Sequence, residues 1–265
     1  MNENSKVEGT LFVPMLGRIY ASEHFPHLLY DEKALTLKKL LPNDLKGQDT
    51  QTQYTLLASA IRSCNMDRYI KQFMKTHEDG IIVELGCGLE TSFYRNDDGK
   101  HIWYEVDLPN VITYREQLLP VSDRDRYIAG DGFSDEWIKI VRKEFKTQLM
   151  LVVVSGVFYY FEKSVVLNLF KTLKLYGPVE VVFDTVNEKG MKRMSKYMKQ
   201  VGHEDASMYF YVDDAQTLCQ EIKAKAAFEE PYYNHTDKKG IGFITAMTMR
   251  LSDVFNMVKM VDIKL

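Results

Sequence analysis

The stretch IIVELGCGLETSFYR, residues 81–95, decides the fold. β-Prone residues run into Glu84 and then into Gly86-Cys87-Gly88. In an open α/β sheet, ligands bind beyond the carboxyl ends of the strands. Glycines there let the backbone turn sharply and approach a ligand without a Cβ clash. A lone Gly-x-Gly is equally an ordinary strand-ending turn. The next strand, IWYEVDLP, adds a second signal. It ends in Asp107, about 20 residues on, the offset at which an acid accepts hydrogen bonds from ribose hydroxyls. Alone, Asp107 reads as a helix cap ahead of Pro109. Together the two features point to an adenosine-containing ligand. Leu89-Glu90-Thr91 stands where a third glycine would seat a pyrophosphate.

Working outward, strands alternate with helices. IIVEL, IWYEV, RYIAG, QLMLVVV and VEVVFDT read as strands, and GIGFITAMTMR as a late one. Residues 51–77, NVITYREQLL, SDEWIKIVRKEF, EKSVVLNLFKTLKLY, MKRMSKYMKQV and AQTLCQEIKAK read as helices, with Ser134 as a cap. The near-continuous apolar runs in LMLVVV and VEVVF suit strands covered on both faces. The expectation is an α/β fold: one mostly parallel sheet with helices on both faces. A helical extension over 1–77 precedes a core over 78–265. The last residues, RLSDVFNMVKMVDIKL, read as either a sheet edge or an interface.

Composition narrows the partners. The 265 residues are 45% hydrophobic, and the formal net charge of −3 gives no bulk attraction to nucleic acid or anionic membrane. Cys64, Cys87 and Cys219 match no zinc spacing and no disulfide framework, which favours the cytoplasm and no metal. No apolar run reaches the roughly 18 residues of a membrane span.

VELGCGLETSFYR, WYEVDLPNVITYREQLLP and VSGVFYYF, in this order, resemble the leucine carboxyl methyltransferase family. The likeness is closest to its bacterial branch of polyketide O-methyltransferases of the tetracenomycin type. It implies a Rossmann-like class I methyltransferase fold with seven strands, and S-adenosylmethionine as cofactor, leaving as S-adenosylhomocysteine. By resemblance, Gly86 and Gly88 lie against the cofactor's amino-acid part, beside Glu84, and Asp107 holds the ribose. Arg62 matches the arginine that grips the cofactor carboxylate. Asp131, Phe133 and Ser134 flank the adenine, and Arg95 is a structural ion-pair partner. Ser155 departs from the family, which carries a cofactor-facing acid there. Tyr160 matches a tyrosine that touches substrate, with core packing as the alternative. His27 lies in the segment resembling the family's substrate cover.

The implied reaction is O-methylation of a small-molecule carboxylate or hydroxyl. A carboxylate is ionised at neutral pH, whereas reaching a phenolate costs about 4 kcal/mol. Only the second acceptor profits from a base. None of His24, His27, His203 and His235 stands out for that role, so no catalytic residue is assigned. The rival readings are a nicotinamide oxidoreductase, a methyltransferase of protein C-termini, and a non-catalytic cofactor-binding module. Oligomeric state is not legible.

Overall fold

The computed structural model describes residues 3–40, 52–200 and 208–265. His203 lies outside them. Helix α1 (Glu3–His24) is followed by α2 (Glu32–Leu37), a 3-10 turn (Lys38–Leu40) and the long α3 (Gln53–Thr76). Then β1 (Ile81–Leu85), α4 (Ser92–Asn96), β2 (Ile102–Asp107), α5 (Pro109–Leu118), β3 (Asp125–Ala129) and α6 (Glu136–Glu144) alternate. After β4 (Met150–Val154) and a 3-10 turn (Phe158–Tyr160) come α7 (Lys163–Leu175), β5 (Val179–Val186) and α8 (Glu188–Gln200). The chain ends with α9 (Ala215–Ile222), β6 (Ala226–Pro231), α10 (Phe243–Val254) and β7 (Val258–Lys264).

The seven strands form one sheet in the order β3-β2-β1-β4-β5-β7-β6. Strands β1 to β5 are parallel, and β7 runs antiparallel between β5 and β6. The order reverses at β1, between β2 and β4. That places the topological switch point beside the glycine turn.

Period-two alternation divides the sheet between two cores. Val83, Val152 and Val181 face a cluster with Trp137 of α6 and Phe170 of α7. Ile82, Trp103, Leu151 and Val182 face the other way, onto Leu57, Ile61 and Ile70 of α3. So α3, within the stretch read as an extension, is a full layer of the core. Thr52 caps it by accepting the Thr55 N–H. A smaller cluster joins Phe12, Met15 and Ile19 of α1 to Leu89 and Leu119.

Two expectations need correction. GIGFITAMTMR is not a strand, since most of it forms α10. There Thr245, Met249 and Ser252 are buried at helical spacing, and no strand alternation is satisfied. The late strands are AAFEEP and VKMVDIK, the second of which lies inside the ambiguous tail. Ser134 lies one residue before the cap position of α6, which is Asp135. No helix among the described residues is long and apolar enough to cross a membrane.

Candidate active site

Four loops meet at the carboxyl edge of the sheet. After β1 the chain turns through Gly86, at φ +70°, and Gly88, at φ +50°. A Cβ on Gly86 would lie 2.5 Å from Val157 Cγ2 of the loop after β4. Glycine therefore serves both the backbone angle and the contact between the two loops. At the tip of β2, the Asp107 carboxylate accepts N–H groups from Gly88 at 2.8 Å and Leu108 at 2.7 Å. It is not the helix cap, a position taken by Leu108. Burial raises its pKa, while those two N–H groups lower it. Each oxygen keeps capacity for another donor.

After β3 the chain makes a tight turn. Asp131 accepts the Phe133 N–H at 2.9 Å, and Ser134 Oγ donates to the Asp131 carbonyl at 2.9 Å. Gly132 packs on Leu85 at the end of β1, and Trp137 Nε1 donates to its carbonyl. The Phe133 ring lies 4.0 Å from that of Phe161, so this turn also reaches the loop after β4.

That fourth loop holds Ser155, Gly156 and the Phe158–Tyr160 turn. Gly156, at φ +71°, leaves room for Arg62 of α3, whose Nη1 would lie 2.4 Å from a Cβ there. The Arg62 side chain is 20% exposed and sits 3.6 Å from the buried Asp184 of β5. Burial alone would lower the Arg62 pKa, but Asp184 together with Tyr232, Tyr159 and Tyr160 outweighs it and keeps the guanidinium charged. Tyr159 and Tyr232 lie close enough to act on it electrostatically. So does Tyr160, whose side chain is 46% exposed and whose pKa burial raises. Arg62 makes no hydrogen bond among the described residues. A guanidinium with five N–H donors and one distant ion-pair partner is suited to a carboxylate supplied from outside.

Glu84 sits beneath this edge. It is buried in β1 and accepts the Ser92 hydroxyl. Burial, then repulsion from Glu90, pushes its pKa up to about 7. Its hydrogen-bond partner Ser92 lies on α4, and Glu105 is its register partner on β2. His27 lies apart from the four loops. It lines a cleft of about 650 Å³ with Tyr20, His24, Phe25, Gln53, Asp237, Lys239 and Gly240. Gln53 precedes Arg62 by nine residues, two and a half helical turns, so the two side chains leave α3 on opposite faces.

The sequence reading missed the clamp behind the glycine turn. Arg18 of α1 donates to the Leu89 carbonyl at 2.7 Å, to Glu90 at 2.9 Å and to Asp31 at 3.1 Å. Arg95 donates to both oxygens of Asp67, and to Asp31 and Glu90. This fits the structural role assigned to Arg95. Glu90 also accepts Ser63 Oγ and the Thr91 N–H. From α5, Arg115 Nη1 donates to the carbonyls of Gly88 and Glu90. The glycine turn is thus fixed from α1, α3, α4 and α5. Nothing local in the sequence marks Arg18 or Asp184, because their partners lie far along the chain.

Residues 15–174 match the model of the leucine carboxyl methyltransferase family. The chain belongs to that family. It is 26% identical over 168 residues to the tetracenomycin polyketide synthesis O-methyltransferase TcmP of Streptomyces glaucescens. That match covers 62% of this chain and 61% of the relative, so it spans under two thirds of the relative's length. Among solved structures, a DUF574 family protein from Streptomyces avermitilis superposes with a TM-score of 0.58 at 12% identity, over 93% of this chain and 95% of that one. The plantazolicin methyltransferase BpumL, in complex with a substrate analogue and SAH, superposes with a TM-score of 0.51 at 10% identity, over 98% of each chain. At these identities the structural likenesses establish the fold.

Proposed function

We propose that the protein is an S-adenosylmethionine-dependent O-methyltransferase acting on a carboxylate or hydroxyl of a small molecule, possession of a polyketide-like skeleton being one form of that acceptor. The observation that carries the reading is Arg62: a charged, largely buried guanidinium whose donors make no hydrogen bond among the described residues, packed over Gly156 at the loop edge. It suits the cofactor's carboxylate. Gly86 and Gly88 admit the amino-acid part, and Asp107 accepts from the ribose hydroxyls. The turn from Asp131 to Ser134, with the Phe133 ring, borders the adenine. Family membership and the TcmP likeness support the reaction class.

The sulfonium of the bound cofactor makes its methyl group electrophilic. The chain's own task is to position and desolvate, and correct placement can supply roughly 7–11 kcal/mol of a barrier. Tyr160 stands at the mouth of this edge as a neutral donor. Its raised pKa unsuits it to act as a base. Ser155 brings a hydroxyl and no charge.

Isothermal titration with S-adenosylmethionine and S-adenosylhomocysteine tests the reading. Micromolar binding is expected for the wild type, with a loss of at least about tenfold in Asp107→Ala, in keeping with removal of charge-assisted hydrogen bonds. Absence of binding to either molecule by the folded wild type would overturn it.

A further inference from the structure

The amino-acid end of S-adenosylmethionine is a demanding ligand. With the sulfonium it carries two positive charges and one negative. Arg62 answers the negative charge only. Alone in a desolvated edge, it would repel the ammonium and the sulfonium. A site for this ligand needs a carboxylate near Arg62, and Ser155 does not provide one.

Asp184 does. It lies on β5, is 3% exposed, and both of its oxygens are engaged. Oδ1 accepts the Gly156 N–H at 2.7 Å, and Oδ2 accepts the Tyr159 hydroxyl at 2.9 Å. Arg62 Nη1 stands 3.6 Å from Oδ2. One carboxylate therefore fixes the left-handed Gly156 turn, the tyrosine after it and the arginine packed over it. Asp107, another carboxylate at this edge, is held by Gly88 and Leu108 at the tip of β2. Its charge serves a different part of the rim.

We propose that Asp184 is the positioning residue for the cofactor's amino-acid end. It orients Arg62 and the Gly156 turn, and it supplies the negative charge that makes this end of the site neutral toward a zwitterion. The proposal rests on the cofactor reading above.

The isosteric Asp184→Asn variant separates charge from packing. Three ligands are titrated calorimetrically: S-adenosylmethionine, S-adenosylhomocysteine, and 5′-methylthioadenosine, which lacks the amino-acid end. The expected losses are graded. S-adenosylmethionine loses most, at least about tenfold. S-adenosylhomocysteine, without the sulfonium charge, loses less, and 5′-methylthioadenosine stays within about twofold. Tyr159→Phe keeps the carboxylate and removes one hydrogen bond, so its graded pattern should be absent. Equal losses for all three ligands, or no loss for any, would overturn the proposal. If Asp184→Asn does not fold, Tyr159→Phe still decides: a graded loss there would assign the effect to packing and sink the charge argument. A folded wild type that binds none of the three would instead refute the cofactor reading.

Discussion

Two buried ionic assemblies meet at the glycine turn, and they are built on opposite plans. Behind the turn, Arg18 and Arg95 face Asp31, Asp67 and Glu90, and nearly every donor has an acceptor. Beneath it, Glu84, Glu105 and Asp125 lie on three adjacent strands with Arg115 as their main cation. Glu84 and Glu105 are register partners across β1 and β2. Arg115 Nη2 stands 3.1 Å from Glu105, yet neither Glu105 oxygen makes a well-aligned hydrogen bond. The titration follows the plan. Burial would raise the Glu90 pKa, but Arg18 and Arg95 bring it well below the usual carboxylate range. Burial prevails in the strand row, pushing Glu84 up to about 7, Asp125 up to about 6 and Glu105 well above its ordinary value. In the clamp the ion pairs outweigh burial, whereas in the row burial outweighs them.

The sharpest way to break this comparison is to remove a cation from the clamp. Arg95→Met should cost about 3–5 kcal/mol, because it leaves Asp67, Asp31 and Glu90 buried with too little positive charge. Urea unfolding at pH 7 would measure it. A loss below about 1 kcal/mol would mean that the clamp is well solvated, and the contrast with the row would fail.

The fate of Arg95 in the sequence shows what was legible and what was not. Its structural role could be guessed, but Arg18 and Asp31, which complete the clamp, come from the far side of the chain. Likewise Gly86, Gly88 and Asp107 were readable because each marks the end of a strand, and strand ends converge in a parallel sheet. Asp184 was not, since its partners Arg62, Gly156 and Tyr159 are joined only by the fold. For the fold itself, β1 to β5 announced themselves as apolar runs. Helix α1 did not, with Gly9, Pro14 and Gly17 interrupting its pattern. Helix α10 was mistaken for a strand because its exposed face carries Phe243, Ile244, Met247 and Leu251. Those residues leave no polar stripe by which helical periodicity could be recognised.

The next test concerns pH. A carboxyl whose folded pKa lies above its unfolded value favours the folded state while it stays protonated. For Glu84, rising from about 4.5 to about 7, that advantage is complete below the lower value and is lost as pH rises through the upper one. Glu90 works in reverse, its contribution being present above its unfolded value and lost as pH falls. The wild-type melting temperature should therefore fall between pH 5 and 7. In Glu84→Gln, which cannot ionise, that fall should be shallower. An unchanged slope would show that Glu84 is ionised across this range, or that its proton is shared so fully with Glu105 that the row titrates only as a unit.

The smallest effect should come from Glu105→Gln. Burial pushes the Glu105 pKa well above its ordinary value, with repulsion from Glu84 and Asp125 adding to the shift that Arg115 opposes. Glutamine is its neutral isostere and adds donors next to two acids. The expected change in unfolding free energy at pH 7 is within about 1 kcal/mol, in line with neutral replacements inside buried ionic sets. A loss of 3 kcal/mol or more, on the order of breaking a buried pair, would mean that Glu105 is ionised against Arg115. The strand row would then be a second clamp, and the two assemblies would differ in position but not in kind.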